Sequence, residues 1–253
     1  MLRTLRFSLT FPAAVRADMS MGSVLHGAWM EVLPSDYVET LHGEGLRPYS
    51  QSLVWGSGER PVWRLGFLTE EAYQRAALPL VAQTSLFLKQ KGYGINLHLE
   101  AEQKSAYEDL ADRAFRGTGT PRRGRLRFLT ATSFRQNGRY KILPDAALLF
   151  GSLLRRWNAF SPVVKLEEDH LEGTLAAASS WSRYHLRSRF FSVEGQKING
   201  FSGDWELRFH GTDMERRLMA LLLFFAPFSG IGIKTALGMG AVETAVWGGR
   251  MLQ

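Results

Sequence analysis

The chain opens on an alternation. Leu5, Phe7, Leu9 and Phe11 are apolar, and Thr4, Arg6, Ser8 and Thr10 between them are mostly polar. A period of two puts each set on its own face of an extended chain, so residues 3–11 read as a half-buried strand. The period then changes. Leu25, Ala28, Trp29 and Val32 recur at helical spacing over residues 21–33, and Pro34 ends that pattern. His26 lies beside this stripe. Residues 35–52, SDYVETLHGEGLRPYSQS, read as an irregular loop with His42 among turn-forming residues. Two short strands, near 49–55 and 61–67, flank Gly56 and Gly58. Thr69 caps a second helix with Tyr73, Ala76, Ala77, Leu80 and Val81 on its buried face and Pro79 as a place for a kink. Strand patterns return at 85–88 and 95–99. The sum is β-α-β-β-α-β, the ferredoxin-like order.

A short helix at 105–115 leads into RGTGTPRRGR, the strongest linker signal in the chain. The pattern then restarts. Residues 125–132 read as a strand, and Asp145 caps a helix whose apolar face runs Leu149, Leu153, Trp157, Phe160. Strands follow at 183–193 and 201–209. Thr212 and Glu215 form a capping-box pair for the last helix, and 241–247 is the closing strand. Residues 161–181 have no clear period; a loop insert and a loose helix both stay open. These elements predict an α+β chain of tandem ferredoxin-like (RRM-like) domains, 1–120 and 121–253, with a glycine-rich loop near the C-terminus. A length of 253 residues suits two such domains.

Charge sharpens this picture. The formal net charge is +7, carried by 24 arginines and only seven lysines. Guanidinium forks bind phosphates and stack on bases, so the bias favours a nucleic-acid partner. There is no cysteine, which excludes disulfides, thiolate metal sites and a cysteine nucleophile. The N-terminal alternation is not the continuous apolar run of a secretory signal. The longest apolar stretch, 218–228, contains Pro227 and is shorter than the roughly 20 residues of a membrane span. The expectation is a cytoplasmic protein with no membrane partner. His26, His42, His98, His170, His185 and His210 fit no metal-binding spacing, so no metal and no cofactor is expected.

Three stretches carry candidate chemistry. The first is FSGIGIKTALGMGAVE, 228–243, with Gly230, Gly232, Gly238 and Gly240 around Lys234 and Thr235. Ile233 before the lysine breaks the P-loop pattern, and Thr235 stands where a dinucleotide fingerprint needs its third glycine. Both motifs also follow a strand, whereas this segment follows a helix. What remains is a loop whose amides, with Lys234, cradle backbone phosphates, set against a tight structural turn. The second is RYHLRSRFF. Arg183, His185, Arg187 and Arg189 share one strand face; Tyr184, Leu186 and Phe190 share the other. Four aligned basic groups repel unless an anion such as a phosphate backbone lies across them; a solvated edge that blocks aggregation is the plain alternative. Arg122, Arg123, Arg125 and Arg127 add a further basic cluster. The third is His42, in a polar stretch with Arg47 close behind and His26 one helix upstream. Such a histidine suits general acid or base work near neutral pH, although taken alone an ordinary surface histidine is the simpler reading.

At this point a family resemblance appears. FSGIGIKTALGMGAVE resembles the C-terminal glycine signature of the CRISPR-associated endoribonucleases of Cas family six, in the RAMP superfamily. LTATSFRQNGRY resembles the start of their second domain, LLFGSLLRRWNAF the helix after it, and NGFSGDWELRF the strand before the last helix. LHGEGLRPYSQS is similar to their N-terminal histidine segment. The likeness implies tandem ferredoxin-like domains and a metal-independent cut of precursor CRISPR RNA. In that cut the ribose 2′-OH attacks the adjacent phosphate, leaving a 2′,3′-cyclic phosphate and a 5′-OH. It implies CRISPR repeat RNA as partner, and leaves open proteins of a CRISPR effector complex and a second copy of the chain as a homodimer. By position His42 falls on the family's general base or acid. Many members carry a tyrosine where this chain has His26, and a lysine after the histidine segment where this chain has only Arg47. His26, His42 and Arg47 are therefore the expected catalytic set, with acid and base roles undivided. On this reading the glycine loop grips RNA while the chemistry sits in the first domain. The alternative is a RAMP-type subunit that binds guide RNA without cutting it.

Overall fold

The structure, a computed structural model, describes residues 1–248 apart from Glu44, Thr118 and Glu194. In the first half, β1 (Leu2–Thr10) is followed by α1 (Met21–Met30) and α2 (Ser35–His42). Next come β2 (Tyr49–Trp55) and β3 (Pro61–Phe67). A continuous helical stretch then runs through α3 (Glu70–Ala72), a π-helical turn (Tyr73–Ala77) and α4 (Leu78–Val81), before β4 (Ser85–Leu88) and β5 (Tyr93–Ser105). The sheet order is β2-β3-β1-β5-β4, which is the ferredoxin-like arrangement with β4 added at one edge. The alternation in β1 has the expected consequence: Leu5, Phe7 and Leu9 are buried in the first core with Leu25, Trp29 and Phe67. Thr69 caps α3 by accepting from the Ala72 amide. The π turn precedes Pro79, which has no N–H to continue an α-helical ladder.

The segment 35–52 departs from the expected irregular loop. Pro34 is the N-cap position of α2, and Tyr37 and Leu41, four residues apart, bury one face of that helix in the first core. Reading Pro34 only as a stop hid its role as a start. His42 therefore stands on the last turn of a packed helix.

After α5 (Tyr107–Phe115) the second half begins its own sheet with β6 (Arg123–Thr132). A small hairpin, β7 (Phe134–Gln136) and β8 (Arg139–Lys141), precedes α6 (Ala146–Phe160) and α7 (Leu171–Ala177). The long hairpin β9 (Ser179–Val193) and β10 (Gln196–Phe209), then α8 (Asp213–Ser229) and β11 (Val242–Trp247), complete the unit. The order β11-β6-β10-β9 is again ferredoxin-like. Asp145 and Thr212 cap α6 and α8 through their side chains. α5 contributes Tyr107, Leu110 and Ala114 to the second core, beside Trp157 and Phe225. Pro227 inside α8 leaves the Leu223 carbonyl without its usual donor, and the Thr244 hydroxyl supplies one at 2.6 Å.

The halves meet through polar contacts that hold the later site in place. Gln51 of β2 is buried and donates from Nε2 to the carbonyls of Gly22 (2.8 Å) and Ala236 (3.0 Å), while its Oε1 accepts from Trp63 Nε1 (2.8 Å). The Ser50 hydroxyl donates to the Phe228 carbonyl at 2.7 Å. Among the described residues no helix is long and apolar enough to cross a membrane.

Candidate active site

The segment after α8 is a compact knot. The amide of Gly230 donates to the Ala226 carbonyl, that of Gly232 to Ser152 Oγ (2.8 Å), and that of Gly240 to the Ala131 carbonyl (3.0 Å). These donors are spent inside the protein, which takes the amides of Gly230, Gly232 and Gly240 out of the expected phosphate cradle. Glycine is needed here for space and backbone sign. Gly232 and Gly240 have φ of 85° and 72°, and a Cβ on either would collide with the carbonyl oxygen of Ser133 or Ile231. Gly238 likewise packs against Gly22 of α1 and the ring of Phe191. What the knot presents is side chains. Lys234 is held left-handed at φ 51°, with its carbonyl accepting from the amides of Leu237 and Met239. Thr235 is buried behind it.

Lys234 and Thr235 look onto a cleft of about 450 Å³ whose other wall is built by the first half. That wall holds His26, His42, Arg47 and Tyr49; α6 adds Arg155 and Arg156. The cleft thus joins the expected catalytic trio to the glycine segment, which the sequence put in separate domains. It also gives Arg47 a more limited part. Its Nη1 donates to the carbonyls of Gly43 (2.9 Å) and Gly45 (3.3 Å), so the guanidinium bridges the turn after His42.

The two histidines differ in kind. His42 is exposed at the end of α2. His26 is largely enclosed: its ring stacks on Tyr49 and meets Trp29 edge-on, and its Nε2 shares a hydrogen bond of 2.8 Å with Tyr49 Oη. Burial, reinforced by the positive charge of Arg47 and by His42, pulls the His26 imidazole down to about 4. Near neutral pH it is uncharged and has no proton to give as an imidazolium. Burial also pushes the Tyr49 phenol above the usual tyrosine range, so it keeps its proton. In the sequence Tyr49 is only a near neighbour of His42 and Arg47, because a buried strand tyrosine has no signature of its own there. Arg156 did have one. It lies three and seven residues from Leu153 and Leu149, within the apolar stripe of α6, where a cation is out of place.

The basic strand lies elsewhere. His185, Arg187 and Arg189 line a second cleft, of about 690 Å³, with Arg6 and Arg64 of the first sheet and Arg127 of the second. Here carboxylates stand opposite two of the four basic residues, with no ion pair to either among the described residues. His185 stands opposite Asp204 and Arg183 opposite Glu206 across the β9–β10 ladder, whereas Arg187 and Arg189 face Ser202 and Gly200. Arg125 is engaged with Asp204 through two bonds, of 3.0 and 2.7 Å. Arg122 and Arg123 lie at the start of β6 and line neither cleft. Among the described residues no three His, Asp or Glu side chains come together as a metal would need.

Residues 126–242 match the family model described as CRISPR-associated endoribonuclease Cas6. The chain is 32% identical over 244 residues to a CRISPR-associated endoribonuclease Cas6 of Mycobacterium tuberculosis, covering 95% of this chain and 76% of that protein. A CRISPR-associated endoribonuclease Cas6 of Streptococcus thermophilus is 30% identical over 238 residues, 92% of this chain and 95% of that one. Among solved structures, Thermus thermophilus Cas6 superposes with a TM-score of 0.72 at 21% identity, covering 97% of this chain and 98% of that one.

Proposed function

The chain belongs to the Cas6 family of CRISPR-associated endoribonucleases, which process precursor CRISPR RNA, and we propose that it cuts repeat RNA in the cleft between its halves, without a metal. The observation that carries this reading is the shared cleft. His42 and Arg47 from the first half and Lys234, Arg155 and Arg156 from the second line one opening. A phosphodiester drawn into it meets a proton-transfer group and several cations together, so no metal is required to balance its charge.

His42 is the proton-transfer residue in this scheme. As a neutral imidazole it takes the proton of the ribose 2′-OH while the 2′-oxygen attacks phosphorus. The bond from phosphorus to the 5′-oxygen breaks, and the leaving oxygen takes a proton from water in the open cleft. The products are a 2′,3′-cyclic phosphate and a 5′-OH. His26 stays neutral and, with Tyr49, shapes the wall behind the ribose. Lys234 sets its ammonium against the charge that develops on the phosphorane, and Arg47 fixes the turn that follows His42. Arg187 and Arg189, in the second cleft, hold the RNA chain farther from the cut.

The test is cleavage of a cognate repeat RNA by wild type and His42→Ala. The variant is expected to bind RNA normally and to lose at least about 10²-fold in single-turnover rate. EDTA leaves the wild type unaffected, and a 2′-deoxy residue at the cut stops it. Undiminished cutting by His42→Ala removes the site assignment; cutting of the 2′-deoxy substrate removes the mechanism.

A further inference from the structure

Among the described residues Arg156 has no counter-charge. It is only 6% exposed, and its Nη1 is fully buried without a hydrogen-bond partner among the described residues. Burial, with Arg155 beside it, pulls the guanidinium down to about 10, so at neutral pH it remains a cation inside the protein. Buried arginines normally lie against carboxylates, because an uncompensated charge in such a place is costly. Here the surroundings are of the opposite kind. The cleft that Arg156 lines contains Arg155, Arg47 and Lys234. A second group of this kind lines the same cleft: Thr235 is 1% exposed and its Oγ1 is buried without a hydrogen-bond partner among the described residues. Ser152, one helical turn before Arg156, holds the Gly232 amide at 2.8 Å, so α6 is fastened to the segment that carries Lys234 and Thr235.

Arg156, Thr235 and Lys234 line one opening, and their guanidinium, hydroxyl and ammonium make a donor set suited to a tetrahedral oxyanion. We propose that Arg156, with Thr235 and Lys234, forms a phosphodiester-binding subsite on the second-half wall of the cleft, which takes a backbone phosphate of the RNA substrate. This rests on the RNA-cutting reading of the same cleft. It assigns a substrate contact to a residue on α6, outside both the histidine segment and the basic strand. It also explains why a buried cation is tolerated at this position: its counter-ion arrives with the substrate.

The experiment uses the full chain, a repeat RNA carrying 2′-deoxy at the cut, and the variants Arg156→Met and Arg156→Lys. Binding is measured over a range of salt concentrations, so the outcome does not depend on whether RNA is cut. Arg156→Met is expected to lose about ten- to a hundredfold in affinity, and its salt slope to fall by about 0.7. Without RNA, Arg156→Met is expected to melt at or above the wild-type temperature, because a buried unpaired charge has been removed. Inorganic phosphate is expected to raise the melting temperature of wild type more than that of Arg156→Met. Arg156→Lys keeps the charge without the fork, and its affinity is expected to fall between the other two. The proposal is overturned if Arg156→Met and Arg156→Lys both bind RNA with wild-type affinity and salt slope. It is equally overturned if Arg156→Met melts well below wild type while phosphate stabilises both proteins alike, the behaviour of an arginine that only supports the fold. His42→Ala, assayed in parallel, reports separately on the RNA-cutting reading.

Discussion

Protonating His26 is expected to weaken the fold as pH falls, by an amount that follows from its burial. The imidazole has an ordinary value of 6.5 and is held at about 4 in the folded chain, chiefly because it is enclosed. Between these values the unfolded chain binds the proton and the folded chain does not, so stability falls as pH falls. The contribution is intact above pH 6.5 and is lost by the time pH reaches 4. At pH 4.5 the loss is about 2.5 kcal/mol, taking 1.36 kcal/mol for each tenfold step in proton affinity. Carboxylates also titrate toward acid, so the comparison is with His26→Gln, whose amide keeps a partner for Tyr49 Oη without a titrating group. Urea unfolding at pH 7.0 and pH 4.5 should show wild type losing about 2.5 kcal/mol more than His26→Gln. An NMR titration of ring-labelled histidine should find His26 uncharged at pH 6. A His26 that titrates above 6, or two proteins with equal losses at pH 4.5, would refute the reasoning and reopen His26 as a proton donor.

Gln51→Leu removes the three bonds by which β2 ties α1, Trp63 and the segment carrying Lys234 together. Leaving those buried groups unpaired costs about 3 kcal/mol, read by calorimetry as a fall of about 6–12 °C in melting temperature; a change under ~2 °C would count against the clasp. Lys234→Gly and Lys234→Ala should both weaken RNA binding by about tenfold. The glycine variant should be the more stable by about 1 kcal/mol in chemical unfolding, because the residue sits at φ 51° and only glycine is at ease there. Replacing Arg187 and Arg189 together by alanine should lower the salt slope of RNA binding by about 1.4 while leaving the single-turnover rate at saturating RNA unchanged. An unchanged slope would show that the second cleft does not hold RNA.

Much of the architecture was legible because it depends on local period. The alternation in β1, the apolar stripes of α1 and α6, and the side-chain caps at Thr69, Asp145 and Thr212 are written in neighbouring residues. The exceptions share a cause. α2 was read as loop because its buried face consists of two residues, Tyr37 and Leu41, in a polar stretch. The carboxylates opposite the basic stripe of β9, Asp204 and Glu206, come from β10, and the register that sets them against His185 and Arg183 is invisible in β9 alone.

The sequence by itself determined the repeated β-α-β-β-α-β order, the arginine-rich charge and the residues with chemistry to offer, since these follow from composition and short spacings. Only the tertiary structure decided where those residues stand relative to one another. It brought Lys234 and Arg156 to the cleft of His42, because Gln51 and close glycine contacts lock the halves together. It spent the amides of Gly230, Gly232 and Gly240 on internal bonds, because the knot must satisfy its own buried donors. And it set two similar imidazoles in different surroundings, one enclosed by Tyr49 and Trp29 and uncharged near neutral pH, the other facing water.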